Sequence, residues 1–196
     1  MSPVDEPPRA HPNAATASAD DTALLARVLS CYKEHCRYLT GAQVRTADSQ
    51  DRYPLQCVGQ FTVPTSCYFT PAASDDYHCT VVESQICASQ ITNYLIASAV
   101  RDRLAAPFDL WTLDDIWQRQ RHAFLAPELH YTYRAPIRSR TFHGEAAITH
   151  VAYKRGRRAP FLLLNITHDF SDDRGGVFHG EKKLAITDPP GVPTTP

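Results

Sequence analysis

The chain has 196 residues, 43% of them hydrophobic and 21% charged, and a formal net charge of −1. That length suffices for one domain with a real core and is short for two, and so small a charge offers no basic field to hold nucleic acid or an anionic membrane. No apolar run approaches the ~20 residues of a membrane span, and Met1 to Asp21 lacks the basic region and apolar core of a signal peptide, so a cytoplasmic protein is expected.

In chain order, residues 1–20 are rich in Pro, Ala, Ser and Asp and are expected as a loose tail before a single domain over 21–187. Asp21 to Tyr32 has apolar residues at helical spacing, with Asp20 or Asp21 as cap. Tyr38 to Arg45 and Leu55 to Val63 read as strands, with a polar turn at Asp48 to Asp51. Thr80 to Val100 runs without Pro or Gly and is the strongest helix, with Asp75 and Asp76 ahead of it to favour its start. A second helical stretch, Thr112 to Phe124, opens on a Thr cap. Four strand-like segments follow, Glu128 to Ile137, Thr141 to Tyr153, Pro160 to Asp169 and Gly176 to Ile186. Residues 188–196, with four prolines, are expected as a second tail. One long apolar helix followed by a run of antiparallel strands is an α+β arrangement, and a sheet wrapped around a central helix is a hot-dog.

Six cysteines raise the questions of disulfides and zinc. Without an export signal, disulfides are disfavoured. Cys31 and Cys36 flank His35, but no second Cys/His pair follows at finger-like spacing, so ordinary thiols and no metal are expected. The sequence has no GxSxG elbow, no GxxxxGK, no GxGxxG and no HExxH, which excludes the hydrolase, nucleotide and metalloprotease chemistries those motifs carry.

The central helix holds the chemistry. Thr80, Glu83, Cys87, Gln90 and Tyr94 recur at steps of three or four and share one face. A helix wrapped by a sheet should be apolar nearly all round, so burying Glu83 and Gln90 is costly unless they are paired or functional. The alternative is a stripe facing solvent or another subunit. A carboxyl held away from water suits acid/base work. His78 precedes the helix start, whose unpaired N–H groups suit a thioester oxygen that gains negative charge; it is equally a cap or surface residue. Tyr32 and Tyr68 could reach the same place, although buried tyrosines are more often core residues. The basic run Lys154, Arg155, Arg157, Arg158 reads as a solvated hairpin tip, or as a contact for an acidic carrier protein or coenzyme A phosphates.

The block Leu24 to Leu39, LLARVLSCYKEHCRYL, resembles the opening of the FcoT-like hot-dog family of long-chain fatty acyl-CoA thioesterases. The likeness continues through Tyr68, His78, Glu83 and Gln90 and resumes at Tyr133-Arg134-Ala135-Pro136. It implies a hot-dog fold, paired subunits with sites near their interface, an acyl tunnel, and an active-site association for Tyr32 and Tyr68. The chain departs from the family thioesterase at Thr80 and Ser89, where the family carries Asn. It looks instead like the members associated with isonitrile lipopeptide biosynthesis, which add glycine to the β-carbon of a (2E)-enoyl group on an acyl carrier protein, a lyase reaction run in reverse.

The residues and the resemblance together give Glu83, His78 and Tyr68 as catalytic candidates and Tyr32, Arg37, Thr80 and Gln90 as substrate-binding ones, with Arg37, Tyr32 and Tyr68 as candidates to hold the glycine carboxylate. Enolate stabilisation is expected from N–H groups at His78 to Thr80, and proton transfer from Glu83 or His78. Acyl carrier protein, glycine and a further copy of the chain are the implied partners, with no cofactor. Thioester hydrolysis and a non-catalytic carrier-binding module are the alternatives, the latter requiring an exposed polar stripe.

Overall fold

The computed structural model describes residues 18–46, 55–67, 77–157 and 159–190. Tyr68, the turn at Asp48 to Asp51, Asp75, Asp76, Arg158 and most of both expected tails lie outside the described residues.

The first helix, α1 (Ala19–Leu29), starts earlier than the periodicity predicts. Its cap is Ser18, whose hydroxyl accepts the Asp21 N–H while the Asp21 carboxylate reaches back to the Ser18 N–H. Asp21 is therefore the third helical residue of a capping box and not the cap. Strands β1 (Leu39–Thr46) and β2 (Leu55–Thr62) follow as antiparallel neighbours. Helix α2 (Val81–Arg101) is capped by Thr80. Helix α3 (Leu113–Arg119) is capped by Thr112 as expected but ends before Phe124, because that residue already begins β3 (Phe124–Ala135). Strands β4 (Thr141–Arg155), β5 (Pro160–Ser171) and β6 (Val177–Thr187) complete the set.

All six strands join one antiparallel sheet in the order β1-β2-β4-β5-β6-β3, which leaves β1 and β3 as its edges. The sheet curls around α2, whose residues from Gln90 to Val100 are all buried. This is the hot-dog arrangement expected from the element order. Burial alternates along β5 and β6, so Leu162, Leu164, Ile166 and Phe170 on β5 and Phe178, Leu184 and Ile186 on β6 face the helix. Phe170 stacks on Phe178 with ring centroids 4.4 Å apart, and Phe61 stacks on Phe142 at 5.4 Å. Gly144 admits this aromatic layer, since a Cβ there would lie 2.5 Å from the Phe170 ring.

Coverage of α2 is uneven. Its first turns leave Val81 and Val82 exposed and Gln85, Ile86 and Ser89 half-buried. Those positions line up at helical spacing beside β3, a twelve-residue edge strand whose Leu125, Leu129 and Tyr133 are also exposed. No helix among the described residues is long and apolar enough to cross a membrane.

Candidate active site at the start of the central helix

The sequence Thr80-Val-Val-Glu83 forms a capping box. Glu83 Oε2 accepts the Thr80 N–H at 2.9 Å and the Thr80 hydroxyl at 2.7 Å. The same device closes α1 through Asp21 and α3 through Asp115, but those carboxylates stay partly in water. Glu83 alone is fully buried, and its Oε1 has no hydrogen-bond partner among the described residues. Capping accounts for one of its oxygens and not for the burial of the other, which is expensive unless put to use.

Two phenols accompany that oxygen. The hydroxyls of Tyr38 and Tyr77 are buried without a partner among the described residues. Burial pushes both phenols well above their ordinary range, and the nearby Glu83 carboxylate pushes the same way. The thiols of Cys67 and Cys79 are their polar neighbours. The Arg140 guanidinium lies 4.8 Å from the Tyr77 ring centroid and fixes that ring from outside. Tyr38 and Tyr77 were missed in the sequence because a lone tyrosine carries no spacing signal. Tyr38 nevertheless belongs to the Cys36 to Leu39 block that carries the family likeness.

Of the donors expected at His78 to Thr80, two are already taken. The Cys79 N–H is taken by the Ile137 carbonyl at 2.8 Å, and the Thr80 N–H by Glu83. The N–H groups of Val81 and Val82 are the ones that helix geometry leaves without an intrahelical acceptor. They sit beside a groove of about 500 Å³ lined by His78, Thr80, Val81, Tyr133 and Arg134. His78 is exposed at this groove, while Glu83 is buried behind it.

The remaining sequence-predicted residues are dispersed. Gln90 is fully buried, and its amide ties down the chain entering β1. Oε1 accepts the Tyr38 and Leu39 N–H groups at 3.0 and 2.9 Å, and Nε2 donates to the Cys36 carbonyl at 2.6 Å. The structure thus shows Gln90 paired on all three of these main-chain groups, in a clamp's position. Tyr32 lies further along α2, its hydroxyl accepting from Asn93 Nδ2 at 2.9 Å, with burial raising its pKa well above the phenol range. Arg37 is exposed and donates from Nε to the Tyr32 carbonyl at 3.2 Å. The hairpin tip holding Lys154, Arg155 and Arg157 is exposed, and it sits at the opposite end of the fifteen-residue β4 from Thr141, which pairs with Thr62. The cations next to the helix start are Arg134 and Arg140 instead.

All six cysteines are free thiols. Among the described residues, no group of three His, Cys, Asp or Glu side chains is arranged to hold a metal ion.

The sheet wrapped around a central helix agrees with the family that the comparisons find. The FcoT-like thioesterase domain matches residues 27–186. The chain belongs to that family. Within reach of it stands a protein of Streptomyces coeruleorubidus called a (2E)-enoyl-[ACP] glycyltransferase, 34% identical over 171 residues, covering 87% of this chain and 99% of its own length. A Mycobacterium marinum protein of the same name is 29% identical over 195 residues, covering 97% of this chain and all of its own. Among solved structures, a thioesterase family protein from Silicibacter pomeroyi is 13% identical with a TM-score of 0.45, over 85% of this chain and 98% of that one.

Proposed function

We propose that this FcoT-like family member adds glycine to the β-carbon of a (2E)-enoyl thioester carried by an acyl carrier protein. The product is a 3-(carboxymethylamino) acyl thioester, and the enzyme is a carbon–nitrogen lyase working in the bond-forming direction. The observation that carries the reading is Glu83: a fully buried carboxylate with one oxygen locked in a cap and the other without a partner among the described residues, near the Val81 and Val82 N–H groups, for which helix geometry supplies no intrahelical acceptor. The relatives called glycyltransferases support the choice of nucleophile.

The chemistry follows from that arrangement. The thioester carbonyl lies over the Val81 and Val82 N–H groups. The glycine ammonium gives a proton to Glu83 Oε1, and the amine lone pair forms the C–N bond at the β-carbon. The electrons of the C=C bond move toward the thioester oxygen, where the two N–H groups and the positive end of α2 stabilise the enolate. Glu83 then returns its proton to the α-carbon. One N–H of glycine has been added across the double bond, so atoms and charge balance with no co-reactant. His78 and Arg134 at the groove mouth line the approach of the carrier's acyl arm.

Hydrolysis of the thioester is the second reading, favoured by the family's domain description; the same N–H pair would hold a tetrahedral oxyanion and Glu83 would activate water. A carrier-binding module without turnover would need the polar stripe in solvent, and Glu83, Cys87, Gln90 and Tyr94 are all buried. Edge strand β3, with nine of its twelve residues exposed beside the uncovered stretch of α2, fits pairing with a second copy.

Mass spectrometry of purified protein with crotonyl-loaded acyl carrier protein, with and without glycine, tests the reading. A glycine-dependent mass gain on the loaded carrier supports it. Free carrier without adduct supports hydrolysis. An unchanged carrier in both samples overturns both.

A further inference from the structure

The helix-facing positions of β6 are Phe178, Gly180, Lys182, Leu184 and Ile186, so one lysine interrupts an otherwise apolar series. Lys182 is 5% exposed. Its ammonium donates to the Ser89 hydroxyl oxygen at 3.3 Å, and no carboxylate comes within ion-pair distance of it among the described residues. Its sequence neighbour Lys183 takes Glu128 on the other face of the sheet. A buried cation without a counter-ion is costly.

Its surroundings share one property. Gln85 donates from Nε2 to the same Ser89 oxygen at 3.3 Å, and Gln85 Oε1 accepts the Tyr131 hydroxyl. Gly180 makes room for the Tyr131 ring, since a Cβ there would lie 2.4 Å from it. Ser89 Oγ and Gln85 Oε1 already accept from within the group, while donors remain: two ammonium protons of Lys182, one amide proton of Gln85 and the Ser89 hydroxyl proton. Nearby His168 stays neutral and adds no charge. It is fully buried, its Nε2 is 2.9 Å from the Thr92 hydroxyl, and burial together with the Lys182 charge pulls its pKa down to about 3.

The cluster is reachable. Gln85 and Ser89 are half-buried and Leu129, opposite Lys182 in the β3–β6 register, is exposed, so the donors lie just beneath the uncovered seam between α2 and β3. Gln85 is one helical turn beyond Val82 and Ser89 one turn further, about 5 to 10 Å along the axis. That separation suits an adduct anchored by its thioester oxygen at the helix start and extended through the β-carbon and amine to a carboxylate.

We propose that Lys182, Ser89 and Gln85 form a carboxylate-binding site that receives the amino-acid substrate. As a role for glycine it rests on the β-addition reading; as a carboxylate site it can be tested alone. Lys182 supplies the charge, and Ser89 and Gln85 orient the two oxygens. Arg37, exposed at the turn before β1, is then not required for this task.

The test compares the full-length protein with K182M and K182R. In K182M the KM for glycine should rise at least tenfold, the KM for crotonyl-loaded carrier should stay within twofold, and K182R should recover part of the loss. Thermal unfolding of K182M should be unchanged or shifted upward, because an apolar side chain replaces an unpaired charge; a merely structural lysine would lower it. Wild-type turnover with an unchanged glycine KM in K182M overturns the proposal while leaving β-addition intact. If the wild type forms no adduct, β-addition fails, and thermal shift with acetate as probe decides the site. Stabilisation of the wild type but not of K182M supports it, and equal behaviour of the two overturns it.

Discussion

The two flanks of α2 use polar side chains in opposite ways. On the flank toward β1, Gln90 satisfies three main-chain groups and Glu83 Oε2 satisfies the helix cap, so most polar atoms have geometric duties. On the flank toward β3 and β6, Gln85, Ser89 and Lys182 bond mainly to one another and keep donors in reserve. The first flank holds the fold and leaves a single unpaired acid oxygen; the second is under-bonded as a whole. A buried polar group that is fully paired is read most simply as structure, and one left unpaired at a reachable place as a site.

Acid should break this contrast on the β6 side first. His168 has its pKa pulled from an ordinary 6.5 down to about 3. The unfolded chain therefore binds a proton that the folded chain refuses, and stability falls as pH drops from about 6.5 toward 3, by on the order of 5 kcal/mol if His168 acts alone. Urea unfolding at pH 7 and pH 4.5 checks the direction, and an H168N variant should flatten the slope. Turnover should break on the other flank: E83Q keeps a capping side chain but loses the proton acceptor, and activity should fall by about 10²- to 10⁴-fold with the far-ultraviolet circular dichroism unchanged. Unaltered turnover would remove Glu83 from the reaction.

Q90L should be the most damaging of the conservative changes to stability. It leaves the Tyr38 and Leu39 N–H groups and the Cys36 carbonyl unpaired, at a cost of about 3 kcal/mol or more, measurable as a lower urea midpoint. Lys182 sharpens the comparison from the alkaline side. Burial lowers its pKa from 10.5 to about 8, so the unfolded state binds the extra proton between those values and stability should rise with pH across that window, by on the order of 3 kcal/mol. K182M should abolish the rise. T80A should have the smallest effect, about 1 kcal/mol from the lost cap.

Much of the fold was legible in the chain. The uninterrupted apolar stretch after Thr80 had to be a buried helix, and the alternation in Pro160 to Ile186 had to be strands with one face inward. Glu83 stood out as an acid on the polar face of a helix that a sheet should wrap, and the structure decided between burial and the alternative of a stripe facing solvent or another subunit. Boundaries were less legible where two motifs compete. Asp20 and Asp21 look like caps, but Ser18 with an acid three residues on makes the reciprocal box, and the helical pattern through Phe124 yields to the pairing of β3 with β6.

Sequence by itself determined the element order, the central helix and the acid near its start, because periodicity is local and acts within one or two turns. Only the tertiary structure decided which polar residues are occupied and which are left over. The turn before β1 folds onto Gln90 and occupies its amide, and the register of β6 turns Lys182 inward against Ser89, 93 positions away in the chain. Hydrogen-bond balance depends on every neighbour at once, and in a sheet wrapped around a helix most of those neighbours are distant in sequence.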